Sequence, residues 1–427
     1  MDRSVYTPGA GHLPPVLAGR DSILREWQLT LNDVAAVGRI RARDLILTGP
    51  RGVGKTATLT TFGSLATQAG FETVTLQAVA GHAGLVASLL QRAAVRVEQG
   101  SGAWARAKRA FDRIESINLG AAGISAGVSR RTGGSSGPVS VLDPSTLAEA
   151  LVTLVREIRA EQPHGGLLVT VDEMQVASPA DLALLAATLH RLNVDHPSSA
   201  VVFAGTGLPH TPEALRSAGV THPDRLFLLE PLPVALDRAD AIFAVIEPAR
   251  RRGVLWHPDA AEAVAQVSNG YPAHLQSFAH AVWTAAPGPD LVTLADANAA
   301  IPAAAGEIER RTLGPRWDRM SDRQMEYLAA LAVNGGSASS GQLAVTLGRT
   351  NQELSWLRQE LIREGDIHVP HRGQVALAVP LFVPYILARY DADRVDAQVS
   401  VLTLAQMRRN GGLPARRRPG GTPRLPG

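Results

Sequence analysis

The chain has 427 residues, 45% of them hydrophobic and 19% charged. At roughly 150 residues per domain this is material for two to four buried cores, and it excludes a mostly disordered chain. Cysteine is absent, which excludes disulfides, thiolate zinc sites, iron–sulfur clusters and a cysteine nucleophile. The formal net charge is +3, but six arginines (Arg408, Arg409, Arg416, Arg417, Arg418 and Arg424) follow the last acid, Asp396. Without them the remainder carries −3, so the body is not a basic particle. No run approaches the ~18 consecutive apolar residues of a membrane helix. The opening MDRSVYTPGAGHLPP lacks the apolar stretch of a signal peptide. The expectation is a cytoplasmic protein with no membrane partner.

Residues 1–14 are rich in Pro and Gly and read as a flexible start. A helical pattern runs from about Arg20 to Val37. DLILT (Asp44–Thr48) is a short buried strand, Gly49–Thr56 a Gly-rich loop, and Ala57–Ala69 the helix after it. Phe71–Ala78 is a second strand, followed by a helix near Leu85–Val97, a basic helix Trp104–Ile114 and a Gly/Ser-rich stretch, Asn118–Val141. Asp143-Pro144 is an N-cap and first helical position, opening a helix to about Ala160. LLVTV (Leu167–Val171) is a third strand, Ser178-Pro179 opens a helix to about Asn193, AVVFA (Ala200–Ala204) is a fourth strand and RLFLL (Arg225–Leu229) a fifth. Strands alternating with helices predict an α/β fold with a parallel sheet covered on both faces. Leu236–Arg311 reads as helices only.

Gly49-Pro50-Arg51-Gly52-Val53-Gly54-Lys55-Thr56 matches G-x-x-x-x-G-K-S/T completely. Its glycines let the backbone fold into a ring of N–H donors around phosphates, and the following helix adds its N-terminal dipole. Lys55 is expected to reach the β/γ-phosphates and the Thr56 hydroxyl to ligate Mg²⁺. Lys55 is one of only two lysines in the chain. LLVTVDE supplies the second half: Asp172 would hold the metal shell, and Glu173 would orient and deprotonate an attacking water. Carrying both acids argues for hydrolysis, with ATP and Mg²⁺ as cofactors; the alternative is a degenerate ATP-dependent scaffold. Two further positions each have two readings. Thr206, in Gly205-Thr206-Gly207, either touches the γ-phosphate or its water or sits in a Gly-rich turn. Arg225 either faces a nucleotide, in its own subunit or a neighbour's, or is a solvated arginine at a strand start.

The stretches PVLAGRDSILREWQ (Pro15–Gln28), GPRGVGKT, VTVDEMQ, FAGTGLP, DRLFLLEPLP and SNGYPAHLQ occur in the order seen in the bacterial Orc1-like AAA ATPases, relatives of archaeal ATPases and signal-transduction NTPases. The chain resembles that family over about Pro15 to Tyr390. The resemblance implies that Val16–Arg20 flank the adenine, with Arg20 in the nucleotide site, and that GYPAHLQ opens a helix of a lid. Where many AAA proteins carry a second sensor arginine, this stretch has Ala273 and His274. The domains expected are a flexible start 1–14, a P-loop ATPase core 15–232, a helical lid 233–312, a winged helix 313–390 and a basic disordered tail 391–427.

The last module reads as helix Ser321–Asn334, a short helix Gly341–Leu347, a third helix Asn351–Glu364 with Leu354, Leu357 and Leu361 inward, and a hairpin turning near His371-Arg372-Gly373. That order is a winged helix-turn-helix. Against DNA, Asn351, Gln352, Ser355, Arg358 and Gln359 would face the major groove with Arg372 at the wing. Against a protein partner the same helix serves as a contact surface, and its two arginines are outnumbered by Glu353, Glu360 and Glu364. The expected function is therefore an ATP-driven switch acting on DNA, or a signalling NTPase whose output is protein assembly or self-association. Three patterns are set aside. Gly123–Gly127 matches G-x-S-x-G without a following helix, His368 and His371 read as solvent-facing hairpin residues, and Trp104 with Phe111 reads as core.

Overall fold

The computed structural model of the chain describes residues 4–9, 11–41, 44–81, 84–85, 88–89, 143–286, 290–391 and 402–411. The helix expected at 104–114, the Gly/Ser-rich stretch, the G-x-S-x-G pattern, Trp104 and Phe111 lie outside them, as do most of the expected helix near 85–97 and the last four tail arginines. Two compact units divide the chain, one of residues 9–233 and one of residues 1–8 with 234–427.

The first unit is built on strands β1 (Asp44–Thr48), β2 (Phe71–Gln77), β3 (Gly166–Asp172), β4 (Val201–Gly207) and β5 (Phe227–Pro231). They form a parallel sheet in the order β2-β3-β4-β1-β5. Every residue of β1, β3 and β4 is buried, which is why these strands read as unbroken apolar runs rather than alternating ones. Helices α1 (Asp21–Val37), α2 (Lys55–Gln68), α3 (Pro144–Glu161) and α4 (Pro179–Asp195) accompany the sheet. The Asp143 carboxylate caps α3 through Thr146 N–H, and the Ser178 hydroxyl caps α4 through Asp181 N–H. Trp27 stacks on Phe62 at 4.4 Å and donates to its carbonyl, fixing α1 on α2.

After β4 the chain forms two short helices, α5 (Thr211–Ser217) and α6 (Pro223–Leu226). The fifth strand therefore begins at Phe227, two residues later than expected, and Arg225 lies in α6. Pro223 at the first helical position presets a turn that the strand can follow but not include.

In the second unit come α7 (Arg238–Arg250), β6 (Leu255–Trp256), α8 (Pro258–Ser268), α9 (Pro272–Ala285), β7 (Leu291–Val292) and α10 (Leu294–Ile308). β6 and β7 pair in parallel within the stretch expected to be helical throughout; two-residue strands leave no periodic trace. The expected flexible start is anchored here. Tyr6 is 2% exposed, donates its hydroxyl to Val245 O at 2.6 Å and meets Trp256 and Trp283 edge-on. A lone aromatic in a Pro/Gly-rich segment gives no periodic signal, so its burial is legible only in three dimensions.

A π-turn (Glu309–Leu313) and α11 (Gly314–Trp317) precede α12 (Asp322–Val333), β8 (Ser337–Ser339), α13 (Ser340–Leu347), α14 (Ser355–Glu364), β9 (Ile367–His368) and β10 (Gln374–Leu377). β10 is central in an antiparallel β8-β10-β9 sheet. Helix α14 starts at Ser355 instead of Asn351 because Glu353 accepts from the Thr350 N–H and hydroxyl, closing a turn ahead of it. Leu354, Leu357 and Leu361 are buried as expected. His368 is half-buried and held below the usual histidine range by that burial, while His371 is exposed.

Helix α15 (Phe382–Arg389) follows, and then α16 (Leu404–Gly411), which falls inside the stretch expected to be disordered. Leu404 and Met407 of α16 are buried, the helix packs on α13, and Asn410 donates to Thr346 O. Leu404 and Met407, one turn apart, are a face too short to stand out beside the arginines. Met407→Ala should cost about 2–3 kcal/mol in the unfolding of the second unit, whereas Arg408→Ala, at an exposed position, should leave it within about 0.5 kcal/mol. Calorimetric unfolding of the two variants checks this.

Candidate nucleotide site

The loop after β1 lies at the carboxyl edge of the sheet and runs straight into α2. Gly54 caps α2 in the left-handed region at φ 91°, a conformation that costs glycine nothing. Lys55 and Thr56 are the first two residues of the helix. The Lys55 amine turns inward, donating to Gly49 O at 2.9 Å and Pro50 O at 2.7 Å, and the residue is 5% exposed. Burial lowers its pKa to about 8, against the upward pull of Glu173 and Asp172, with Arg51 adding to the fall. Arg20 is buried under the loop, its guanidinium donating to Val53 O at 3.0 Å. It thus supports the loop's backbone.

Asp172 ends β3. Its Oδ2 accepts from the Thr56 hydroxyl at 2.8 Å, and its Oδ1 accepts from the Thr206 hydroxyl and from Glu173 N–H at 3.0 Å. Glu173 N–H also points to Thr206 Oγ1 at 3.2 Å. Strand β4 lies between β3 and β1, with Gly205 opposite Val171 and Thr206 opposite Leu47, and this sets Thr206 beside the acids. Gly205-Thr206-Gly207 is therefore strand and not turn. A Cβ at Gly207 would fall 2.0 Å from Thr211 Oγ1, and one at Gly205 2.3 Å from Met174 Sδ. The glycines flanking Thr206 are there for close packing.

Glu173 takes a left-handed backbone, φ 58° and ψ 42°, as the chain leaves β3 for a tight turn at Met174–Val176. Such a conformation in a non-glycine residue costs about 1 kcal/mol and marks sites held by their surroundings. Its Oε2 accepts from Gln175 Nε2 at 2.6 Å, and Gln175 Oε1 accepts from Leu208 N–H at 3.0 Å. Sequence reasoning missed Gln175; its only trace is an amide two residues beyond the acid pair.

The Thr56 hydroxyl and the Asp172 carboxylate are hard oxygen donors within reach of one another, which suits Mg²⁺, an ion that keeps most of its shell for water and phosphate. Among the described residues no group of three or more His, Cys, Asp or Glu forms a fuller cage. Arg225 is exposed on α6 and is not one of the side chains the cluster gathers. In the second unit His274 is buried, lies 4.7 Å from the Tyr271 ring and is lowered to about 4 by that burial. It stays neutral and does not replace an arginine sensor.

Residues 16–202 match the AAA ATPase domain family. This part of the chain is an AAA-type nucleotide-binding domain. Residues 310–386 match a separate family described as a domain of unknown function. No curated protein matches the chain. Among solved structures, a Walker-type ATPase of Pyrococcus abyssi is 17% identical with a TM-score of 0.52, covering 87% of this chain and 96% of its own. The ORC2 protein of Aeropyrum pernix, solved as ADPNP–ADP complexes, is 15% identical with a TM-score of 0.51, covering 91% of this chain and all of its own. At such identities the likeness is one of fold. No helix of the described residues is long and apolar enough to cross a membrane.

The lowered pKa of Lys55 has a consequence for binding. Phosphates favour the charged amine, so triphosphate affinity should begin to fall above about pH 7, be roughly halved at pH 8 and be down about tenfold by pH 9 as the amine deprotonates. Above pH 8 binding should take up a proton, seen by calorimetry in buffers of different ionisation enthalpy. In Lys55→Met this uptake should vanish along with most of the affinity.

Proposed function

We propose that this protein is a Mg²⁺-dependent ATP-binding and ATP-hydrolysing switch whose nucleotide state is read out by a C-terminal winged helix. One observation carries the reading: Thr56, Asp172, Thr206 and Glu173, from three separate segments, share one hydrogen-bonded cluster at the start of α2. The ADPNP–ADP complexes of the Aeropyrum relative support an adenine nucleotide.

In this reading the Gly49–Thr56 backbone wraps the phosphates, and Lys55 leaves its two loop carbonyls for the β/γ-phosphate oxygens. Thr56 and Asp172 hold Mg²⁺, which when bound draws off charge from those oxygens. Glu173 takes the proton of an attacking water at its carboxylate. Thr206 orients Asp172 and Glu173. Exposed Arg225 is available to the nucleotide of a neighbouring copy. Residues 15–232 act as core and 233–312 as lid. From residue 313 the order α12, β8, α13, α14, β9, β10 is that of a winged helix, presenting α14 and the Arg372 turn to DNA.

A second reading, a protein partner with no direct DNA role, is favoured by Trp356. It is 70% exposed on α14, one turn ahead of Glu360. A protruding tryptophan on a face carrying carboxylates fits a protein socket better than a phosphate backbone.

Glu173→Gln should keep ATP affinity while single-turnover hydrolysis falls roughly 10²–10³-fold; an unchanged rate removes the assignment. The two outputs separate by salt. Because α16 is packed, the informative deletion is 412–427, which removes four arginines. If DNA is the partner, the slope of log affinity against log salt should flatten by about three to four units. Fluorescence anisotropy on the full chain and the truncated one reads this, and an unchanged slope moves the protein-partner reading ahead.

A further inference from the structure

We infer that Gln175 is a positioning residue for Glu173, tying its carboxylate to the backbone that leaves β4 and making hydrolysis depend on how that segment is held. The inference rests on Glu173 being the base. Three contacts lead to it. The Glu173 backbone is pinned by its N–H to Asp172 and Thr206, in a left-handed conformation that nothing local favours. A fixed backbone still leaves a glutamate three rotatable bonds, and Gln175 removes that freedom by donating to Oε2 at 2.6 Å. Among the described residues Oε1 accepts no hydrogen bond, so one carboxylate oxygen is held by the chain and the other is left for water.

The far end of Gln175 makes the bond a coupling and not only a clamp. Its Oε1 accepts from Leu208 N–H, and the Leu208 carbonyl accepts from the buried Thr211 hydroxyl at 2.6 Å. Leu208 is thus gripped from both sides where β4 passes into α5. The chain from there through α5 and α6 carries Arg225. A shift of that segment, such as contact with another copy would bring, moves the acceptor end of Gln175 and so the carboxylate. A structural role makes a different forecast: an amide that only satisfies Leu208 N–H is indifferent to what Glu173 does.

Two variants divide these cases. Gln175→Glu keeps an acceptor for Leu208 N–H but loses the donor to Glu173 and sets a carboxylate against it. Gln175→Leu loses both bonds. In the full-length protein each should bind ATP within twofold of the wild type and hydrolyse it 10- to 100-fold more slowly in single turnover. In the Glu173→Gln background neither should lower the residual rate further, because the group being positioned is gone. The inference is overturned if Gln175→Glu hydrolyses at the wild-type rate, if the losses multiply in the Glu173→Gln background, or if both variants fail to fold, since each result makes Gln175 a structural residue. Failure of the base assignment is read separately: Glu173→Gln alone would then hydrolyse ATP at the wild-type rate, and this inference would fall with it.

Discussion

The carboxylate of Asp172 is the point on which the nucleotide site depends. It is buried, and a buried charge must be met by donors or cost several kcal/mol. Three donors meet it: the Thr56 hydroxyl from α2, the Thr206 hydroxyl from β4 and the N–H of Glu173. The same bonds that satisfy the carboxylate hold three segments in register. A one-residue slip of β3 would turn Asp172 to the other face of the sheet and leave the Thr56 and Thr206 hydroxyls without it. The strand order β2-β3-β4-β1-β5 sets Thr206 between the acid and the phosphate loop.

In the structure the site is satisfied by its own chain. Lys55 rests on two loop carbonyls, Thr56 on Asp172, and Glu173 on Gln175. Nucleotide and metal would exchange these bonds for stronger, charge-assisted ones. Lys55 lies between burial, which disfavours its charge, and the two acids, which favour it, and burial prevails. A phosphate would supply the countercharge that the loop carbonyls do not.

The second unit is held by different means. Glu326, almost wholly buried, pairs with Arg349 at 2.7 Å and accepts from Leu402 N–H, joining α12 to the turn before α14 and to the segment entering α16. Arg316 pairs with Asp366 and donates to Gly365 O, closing the end of α14 against α11. Phe382, Tyr385 and Tyr390 each meet Trp317 edge-on. With its inner leucines buried, α14 offers a mixed face of Trp356, Gln359 and Arg363 with two glutamates, Glu360 and Glu364. Its output is thus less legible than the chemistry of the first unit, because phosphate chemistry needs fixed residue types whereas a contact surface does not.

The sequence by itself determined the parallel sheet, the phosphate loop and the acid pair. Each rests on local signals: wholly buried strands are unbroken apolar runs, and Gly49–Thr56 needs its glycines and its lysine at set spacing. The inward turn of Lys55, the support from Arg20, the placing of Thr206 inside a strand and the bridge through Gln175 were decided only by the tertiary structure. All four depend on neighbours distant in the chain: Arg20 on Val53, Thr206 on Asp172, Gln175 on Leu208, Lys55 on the burial around it. So does the anchoring of Tyr6 and of Leu404 with Met407, in segments whose Pro, Gly and Arg read as loose. A short anchor carries no periodicity of its own. It becomes ordered only because a cavity or a helix face elsewhere in the fold takes it in.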